Sequence, residues 1–169
     1  ALYNGPSLGE QIAGGGGGTT NLLTNGSFEE PVLENINTNN LGTVPTGWSQ
    51  TGDPATWNLI RNDGSPYSSG VDSAADGSQI VDLNGIFVMF QNFTVPSDSL
   101  VTFGASFANR EGHDGSDPST VGIYDASGTT LLSPVVTVDT SADPTPSDVW
   151  RSGSAEVQLA AGEYQIRIA

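Results

Sequence analysis

Hydrophobic and polar positions alternate in short runs along most of the chain, and no segment sustains a helical period. Runs rich in β-branched and aromatic residues recur about every eight to twelve residues, separated by Gly, Pro, Asn, Asp and Ser. This pattern predicts strands at residues 22–28, 56–61, 79–83, 87–95, 100–108, 120–124, 131–139, 154–159 and 163–169. The sequence therefore predicts an all-β fold, built as an antiparallel β-sandwich.

Alternation within the predicted strands also indicates which side chains face the core, because successive strand residues point to opposite faces. The predicted inward residues are Val101, Phe103, Ala105, Phe107, Val121, Ile123, Val136, Val138, Tyr164, Ile166 and Ile168. Longer loops are expected at residues 30–45, 65–75, 110–119 and 141–148, where Gly, Pro and Asp accumulate.

The two ends of the chain depart from this regular pattern. Residues 1–13 carry the apolar side chains Leu2, Tyr3, Leu8 and Ile12, and five consecutive glycines follow at residues 14–18. Such a glycine run predicts a flexible hinge. Residues 163–169 alternate with no turn signal after them, so a closing strand is expected to be missing. The predicted organisation is an extended N-terminal arm and candidate donor strand (1–13), a glycine-rich hinge (14–20) and a sandwich domain lacking its final strand (21–169).

Composition narrows the classes of function. The formal charge is −15, with 19 acidic residues, four arginines and no lysine. This charge argues against nucleic-acid and anionic-lipid partners and favours cations such as Ca²⁺.

No run of apolar residues is long enough to span a membrane. The absence of cysteine excludes disulfides and thiolate metal sites. The start at Ala1 is expected for a mature product after signal-peptide removal, which predicts a secreted or cell-surface protein.

Four short motifs occur in order along the domain: NLLTNGSFE at residues 21–29, PTGW at 45–48, DGSQ at 76–79 and QNFTV at 91–95. In this series the chain resembles the galactose-binding-like jelly rolls, a superfamily that includes many carbohydrate-binding modules and bacterial cell-surface domains. The resemblance covers most of residues 21–169 and implies a jelly-roll fold. It also implies a structural calcium site, whose acidic ligand in the first motif corresponds to Glu29.

Further candidate calcium ligands lie in loops, since Ca²⁺ prefers several carboxylate and carbonyl oxygens from flexible segments. Asp114 and Asp117 form one pair, and Asp72 and Asp76 form another. Each pair is also explained by ordinary turn chemistry, in which Asp and Gly reverse the chain.

One constellation suits sugar binding. Tyr67 lies in a Gly- and Ser-rich loop, and Arg61 and Trp57 are close to it in sequence. The competing interpretation places Trp57 in the core, as is usual for large aromatic residues. No catalytic site is predicted: His113 is the only histidine, and no serine lies in a nucleophile-elbow sequence. Composition alone leaves open a pair of carboxylates for glycoside cleavage, which depends on geometry.

Two hypotheses of function follow. In the first, the chain is a non-enzymatic subunit of an extracellular filament, in which the arm of one copy adds a strand to the next copy. In the second, it is a carbohydrate-binding or adhesion module of a larger secreted protein. The first predicts homopolymers in solution, and the second predicts glycan binding that depends on Tyr67.

Overall fold

A computed structural model describes residues 2–4, 20–33, 40–41, 44–51, 57–61, 74–83, 88–108, 118–140 and 150–169. These residues form strands, turns and irregular segments, and none of them forms a helix. Within these ranges there is accordingly no apolar helix of membrane-spanning length.

Six strands form the first antiparallel sheet, called sheet A, in the order β10-β7-β1-β5-β4-β2. The strand bounds are β1 Leu2–Asn4, β2 Asn40–Leu41, β4 Trp57–Arg61, β5 Gln79–Leu83, β7 Ser99–Ala108 and β10 Arg151–Leu159. The longest contact in this sheet joins β7 to β10, which pair over nine residues from Arg151↔Phe107 to Leu159↔Ser99.

Five strands form the second antiparallel sheet, called sheet B, in the order β3-β6-β11-β8-β9. The strand bounds are β3 Ser49–Thr51, β6 Val88–Val95, β8 Ser119–Asp125, β9 Val136–Val138 and β11 Gly162–Ile168. The central strand β11 pairs with β6 on one side and with β8 on the other.

One apolar cluster draws on both sheets. Phe103 and Phe107 of β7 belong to it together with Met89 of β6 and Ile166 and Ile168 of β11, and each of these side chains is at most 1% exposed. The inward faces predicted from alternation are confirmed: the predicted residues are buried, except Tyr164, which is partly buried against the same cluster. Burial of this apolar surface is the main force that holds the fold together.

Most of the predicted strands are confirmed with small changes of boundary, and the predicted strand 79–83 coincides with β5. Three predictions of local structure are wrong. Residues 22–28 form bends and a turn instead of a strand, the strand expected at 131–139 is reduced to β9 with an isolated bridge at Leu131, and the loop expected at 30–45 contains β2. The predicted loops 65–75, 110–119 and 141–148 lie largely outside the described residues.

The prediction that a closing strand is missing after residues 163–169 stays a prediction. These residues form β11, which has a neighbouring strand on each side. Alternation identified the strand correctly but carried no information about its partners.

Candidate functional site

The N-terminal strand β1 lies in the interior of sheet A, between β5 and β7. Tyr3 pairs with Val81 of β5 on one side and with Phe107 of β7 on the other. Both pairings are antiparallel, so β5 and β7 run in the same direction on either side of β1. We call this position the β1 slot and define it by Val81–Asp82 of β5 and Ser106–Ala108 of β7.

The sequence predicted an arm that adds a strand to a neighbouring copy. In this structure Leu2–Asn4 pairs with strands of the same chain, and the donation of the arm to another copy stays a prediction. An empty slot would leave two unpaired strand edges inside one sheet, which is unfavourable for a β protein. Filling the slot with its own first residues removes both edges.

Fifteen residues separate β1 from the next described residue. Residues 5–19 lie outside the described residues, and the chain resumes at Thr20. The glycine run at residues 14–18 falls in this connection. A connection of this length spans at most about 50 Å when extended, which exceeds the roughly 15 Å radius of gyration expected for a domain of this size. Chain length therefore permits β1 to reach a slot in its own domain or in a neighbouring one.

On the side of the slot, the described pairing of β7 covers fewer residues than on its other side. On its other side β7 pairs with β10 over nine residues, but β1 covers only Ser106–Ala108. Among the residues that the structure describes, no strand pairs with residues 99–105 of β7 on the β1 side.

An apolar cavity of about 20 Å³ lies beside this stretch of β7. Its lining consists almost entirely of hydrophobic side chains, from Leu22, Leu23, Phe93, Val101, Thr102, Phe103, Ile123 and Ile166. A cavity of this size has room for about one water-sized or methyl-sized group. The lining offers few hydrogen-bond partners, so a methyl group fills the cavity more favourably than a water molecule does.

The four motifs of the sequence analysis meet in one hydrogen-bonded network. Asn25 donates to the carbonyl oxygens of Glu30 and Thr46 at 2.7 and 3.1 Å, and the Gln91 amide bonds both the N–H and the carbonyl of Thr24. Asn25 and Phe28 have φ angles of 52° and 64°, so the segment is a tight irregular turn. The first motif therefore forms a loop that hydrogen bonds hold in place, whereas its apolar residues alone predicted a strand.

Glu29 belongs to this network. Its Oε1 accepts hydrogen bonds from the backbone N–H groups of Ser78 and Gln79, both at 2.8 Å. Gly77 makes the approach possible, because a Cβ at this residue would lie 2.3 Å from the same oxygen. In this structure the carboxylate therefore joins the first motif to the third.

The predicted calcium ligands are only partly described. Asp76 is exposed, while Asp72, Asp114, Asp117 and His113 lie outside the described residues. Within the described ranges, no three His, Asp or Glu side chains converge on a common point. The calcium sites remain predictions, and the structure assigns Glu29 a role in hydrogen bonding.

Two of the three predicted sugar-binding residues lie on β4. Trp57 and Arg61 form the two ends of β4, where they pair with Leu83 and Gln79. Tyr67 lies outside the described residues, as do Leu8 and Ile12 of the arm.

Sheet B carries a different aromatic and cationic group that the sequence analysis missed. The Arg167 guanidinium lies 6.0 Å from the ring centroid of Phe90 and 5.3 Å from that of Tyr124, and it donates to the carbonyl of Gly128. Arg167 alternates with the buried residues Ile166 and Ile168, so it lies on the face of the sheet away from the core. The sequence shows Arg167 among the polar residues that alternate along β11. It does not show that Phe90 of β6 and Tyr124 of β8 lie beside Arg167, because that depends on how the three strands pair.

Asp125 at the end of β8 organises the turn that follows. Its Oδ1 accepts hydrogen bonds from the N–H of Thr129 at 2.9 Å, from the N–H of Thr130 at 3.2 Å and from the hydroxyl of Ser127 at 2.9 Å. These donors, the Thr129 N–H first among them, hold the pKa of the Asp125 carboxyl well below its usual range.

No family model matches this chain, and no curated protein matches it.

Proposed function

We propose that this protein is a non-enzymatic extracellular structural subunit whose copies join by exchanging their N-terminal strands. In this proposal the two sheets face each other as a β-sandwich of jelly-roll type, and β1 of one copy fills the β1 slot of the next. One observation carries the proposal: a three-residue strand at the far end of a glycine-containing connection completes the interior of a sheet.

The proposed assembly is head to tail. An inserted strand must run antiparallel to both β5 and β7, which fixes its orientation in the slot. Each copy then donates one strand and accepts one strand through different surfaces. Such a heterologous contact propagates as a filament when its rotation does not close into a ring.

The balance between insertion within one copy and insertion between copies depends on more than the β1 ladder. Insertion within one copy and insertion between copies form the same β1 ladder, so this ladder does not favour either state. A strand that is tethered to its own domain by a short linker has an effective concentration of roughly millimolar order at the slot of that domain. Filaments therefore form at lower protein concentrations only if the joined domains also contact each other favourably.

Engineered disulfides test the exchange directly, because the chain has no cysteine of its own. Asn4 and Ser106 are partners in the β1–β7 register, and residues opposed in this way have Cα atoms about 4.5–5.5 Å apart, which suits a disulfide. In the double variant Asn4→Cys/Ser106→Cys, strand exchange predicts covalent polymers on a non-reducing denaturing gel.

The matched control is Ser106→Cys/Ser152→Cys. These two residues are partners in the β7–β10 register, and their hydroxyl oxygens lie 2.7 Å apart within one domain. The control is expected to run as a cross-linked monomer. If Asn4→Cys/Ser106→Cys also gives only cross-linked monomers at every protein concentration, the proposal is wrong.

A second proposed function is glycan binding by a module of a larger protein. The observation that favours it is the pair of aromatic rings flanking Arg167 on sheet B, since aromatic faces and nearby polar groups suit sugar rings. Glycan-array binding that is lost in Tyr124→Ala would support this surface, whereas loss in Tyr67→Ala would support the site predicted from sequence. No binding to any glycan would argue against both.

A further inference from the structure

We propose that the face of sheet B away from the core binds a uronic acid, a sugar that carries a carboxylate, within a longer glycan chain. This inference rests on the second proposed function, glycan binding, and names the class of sugar and the group that recognises it. The Arg167 site consists of Phe90 of β6, Tyr124 of β8, Arg167 of β11 and the carbonyl of Gly128.

The pairing of β6, β11 and β8 places these side chains in two neighbouring rows. Arg167 is opposite Phe90 on one side and Gly122 on the other. In the next row, Gln165 is opposite Tyr124. Residues opposed across a ladder share a face. Three adjacent strands therefore present one cationic group between two aromatic residues.

Two glycines fit the Arg167 side chain between its neighbours. A Cβ at Gly122 would lie 3.3 Å from the Tyr124 ring, so the ring lies close to β8 beside Arg167. Gly128 has a φ of 71°, and its N–H donates to the carbonyl of Asp125 at 2.8 Å. The Asp125 turn thus fixes the carbonyl that accepts a hydrogen bond from Arg167. A guanidinium held in this way loses less entropy when a ligand binds.

Most of the donors of the Arg167 guanidinium remain available. Arginine has five N–H donors in a planar fork that matches a carboxylate, and within the described residues the bond to Gly128 is the hydrogen bond that Arg167 makes. None of the carboxylates in that part of the chain forms an ion pair with it. Arg167 is also partly buried, which strengthens its attraction for an external carboxylate compared with a fully solvated arginine.

The two rings indicate that this carboxylate belongs to a sugar chain. Phe90 and Tyr124 are partly exposed and lie on strands to either side of β11, which are about 10 Å apart. A single pyranose is too small to contact rings at this separation. Neighbouring sugars of one chain contact both rings, and the uronic acid between them places its carboxylate on Arg167.

The charge of the protein limits how many carboxylates the glycan can carry. A net charge of −15 repels a densely charged polyanion, and Glu163 is exposed on the same face of β11 as Arg167. A glycan in which uronic acids are separated by neutral sugars therefore suits the site better than a polymer of uronic acid alone.

A glycan array with matched pairs tests the inference on the full-length protein. Each pair holds one glycan that contains uronic acids and the same glycan with its carboxylates reduced to alcohols. We expect apparent affinity for the uronic acid member to be about tenfold higher or more, the scale of one charge-assisted pair. This comparison changes the ligand alone, so it does not depend on the stability of a variant.

Arginine variants locate the carboxylate on the protein. Arg167→Gln is expected to lose the preference for the uronic acid member, and Arg167→Lys to retain only part of it, because lysine lacks the planar fork. Arg151→Gln is the matched control, since Arg151 is exposed on β10 of sheet A and its replacement changes the net charge equally. This control is expected to keep the full preference. Thermal melting confirms that each variant is folded.

The outcomes distinguish this inference from the proposed functions. If both members of each pair bind equally well, or if Arg167→Gln and Arg151→Gln reduce the preference equally, the inference is wrong and glycan binding stands. If no glycan on the array binds, the inference and the glycan-binding proposal are both wrong, while strand exchange is unaffected.

Discussion

At the scale of single residues, a few polar side chains define loops that hydrophobic alternation does not describe. Asn25 and Glu29 connect the first motif to segments that follow it by about 20 and 50 residues in the chain. Asp125 organises a tight turn by accepting several hydrogen bonds at one carboxylate. Their residue types were visible in the sequence, but their partners depended on long-range pairing.

The Asp125 turn predicts a specific response to acid. The pKa of this carboxyl is lowered on folding from its ordinary value of 3.8, so its stabilising contribution is complete above that pH and is lost progressively as the pH falls below it. Asp125→Asn keeps an acceptor oxygen but removes the charge. We expect the difference in melting temperature between wild type and Asp125→Asn to shrink between pH 5 and pH 2. A difference that stays constant over this range would contradict the assignment.

The contact between Glu29 and Gly77 predicts an unequal effect of two glycine substitutions. Gly77 and Gly47 both have positive φ, at 70° and 84°, so alanine costs about 1–2 kcal/mol of backbone strain at either position. Only at Gly77 would the added Cβ lie 2.3 Å from a carboxylate oxygen, compared with 3.3 Å to its nearest atoms at Gly47. Chemical denaturation is expected to show a larger loss of unfolding free energy for Gly77→Ala than for Gly47→Ala. Equal losses would mean that the Glu29 contact is not as close as described.

At the scale of strands, local sequence predicted which segments extend but not which segments pair. The strands β5 to β8, β10 and β11 follow from alternation of apolar and polar residues, with boundaries within three residues of those predicted. The short strands β2 and β3 have too few residues for a periodic signal. The position of β1 between β5 and β7 was not predictable, because its partners are about 80 and 100 residues away in sequence.

The interior position of β1 predicts the effect of removing it. A protein lacking residues 1–13 has two exposed strand edges, at Val81–Asp82 and at Ser106–Ala108. We expect its unfolding free energy to fall by roughly 1–4 kcal/mol, since each hydrogen bond lost contributes on the order of 1 kcal/mol. Exposed edges should also promote aggregation.

Addition of the peptide of residues 1–13 is expected to restore the melting temperature of the truncated protein, and a scrambled peptide serves as the control. Equal stability of truncated and full-length protein in denaturant titrations would show that β1 is dispensable for the sheet.

At the scale of the whole molecule, the charge of −15 affects how copies approach each other. Like-charged domains repel, and the repulsion weakens as salt screens it. Assembly by strand exchange requires close contact between such domains. We therefore propose that divalent cations reduce the repulsion between copies. This effect is separate from any calcium site within one domain.

The proposed calcium dependence has a direct test. We expect EDTA to shorten filaments and lower the melting temperature, and added Ca²⁺ to reverse both effects while Mg²⁺, with its stricter geometry, reverses them less. Glu29→Ala distinguishes the two locations for calcium, because it removes the candidate ligand within the domain but leaves the remaining surface charge. Unchanged melting temperature and filament length in EDTA would exclude a metal role.

The central claim is that β1 of one copy completes sheet A of another. Mixing Asn4→Cys chains with isotopically heavier Ser106→Cys chains tests it, because the two cysteines are opposed only across the β1–β7 ladder. After mild oxidation, mass spectrometry is predicted to find disulfide-linked dimers that contain one light and one heavy chain. If mixed dimers are absent at concentrations where the unmodified protein is assembled, the copies are joined in some other way and the account is contradicted.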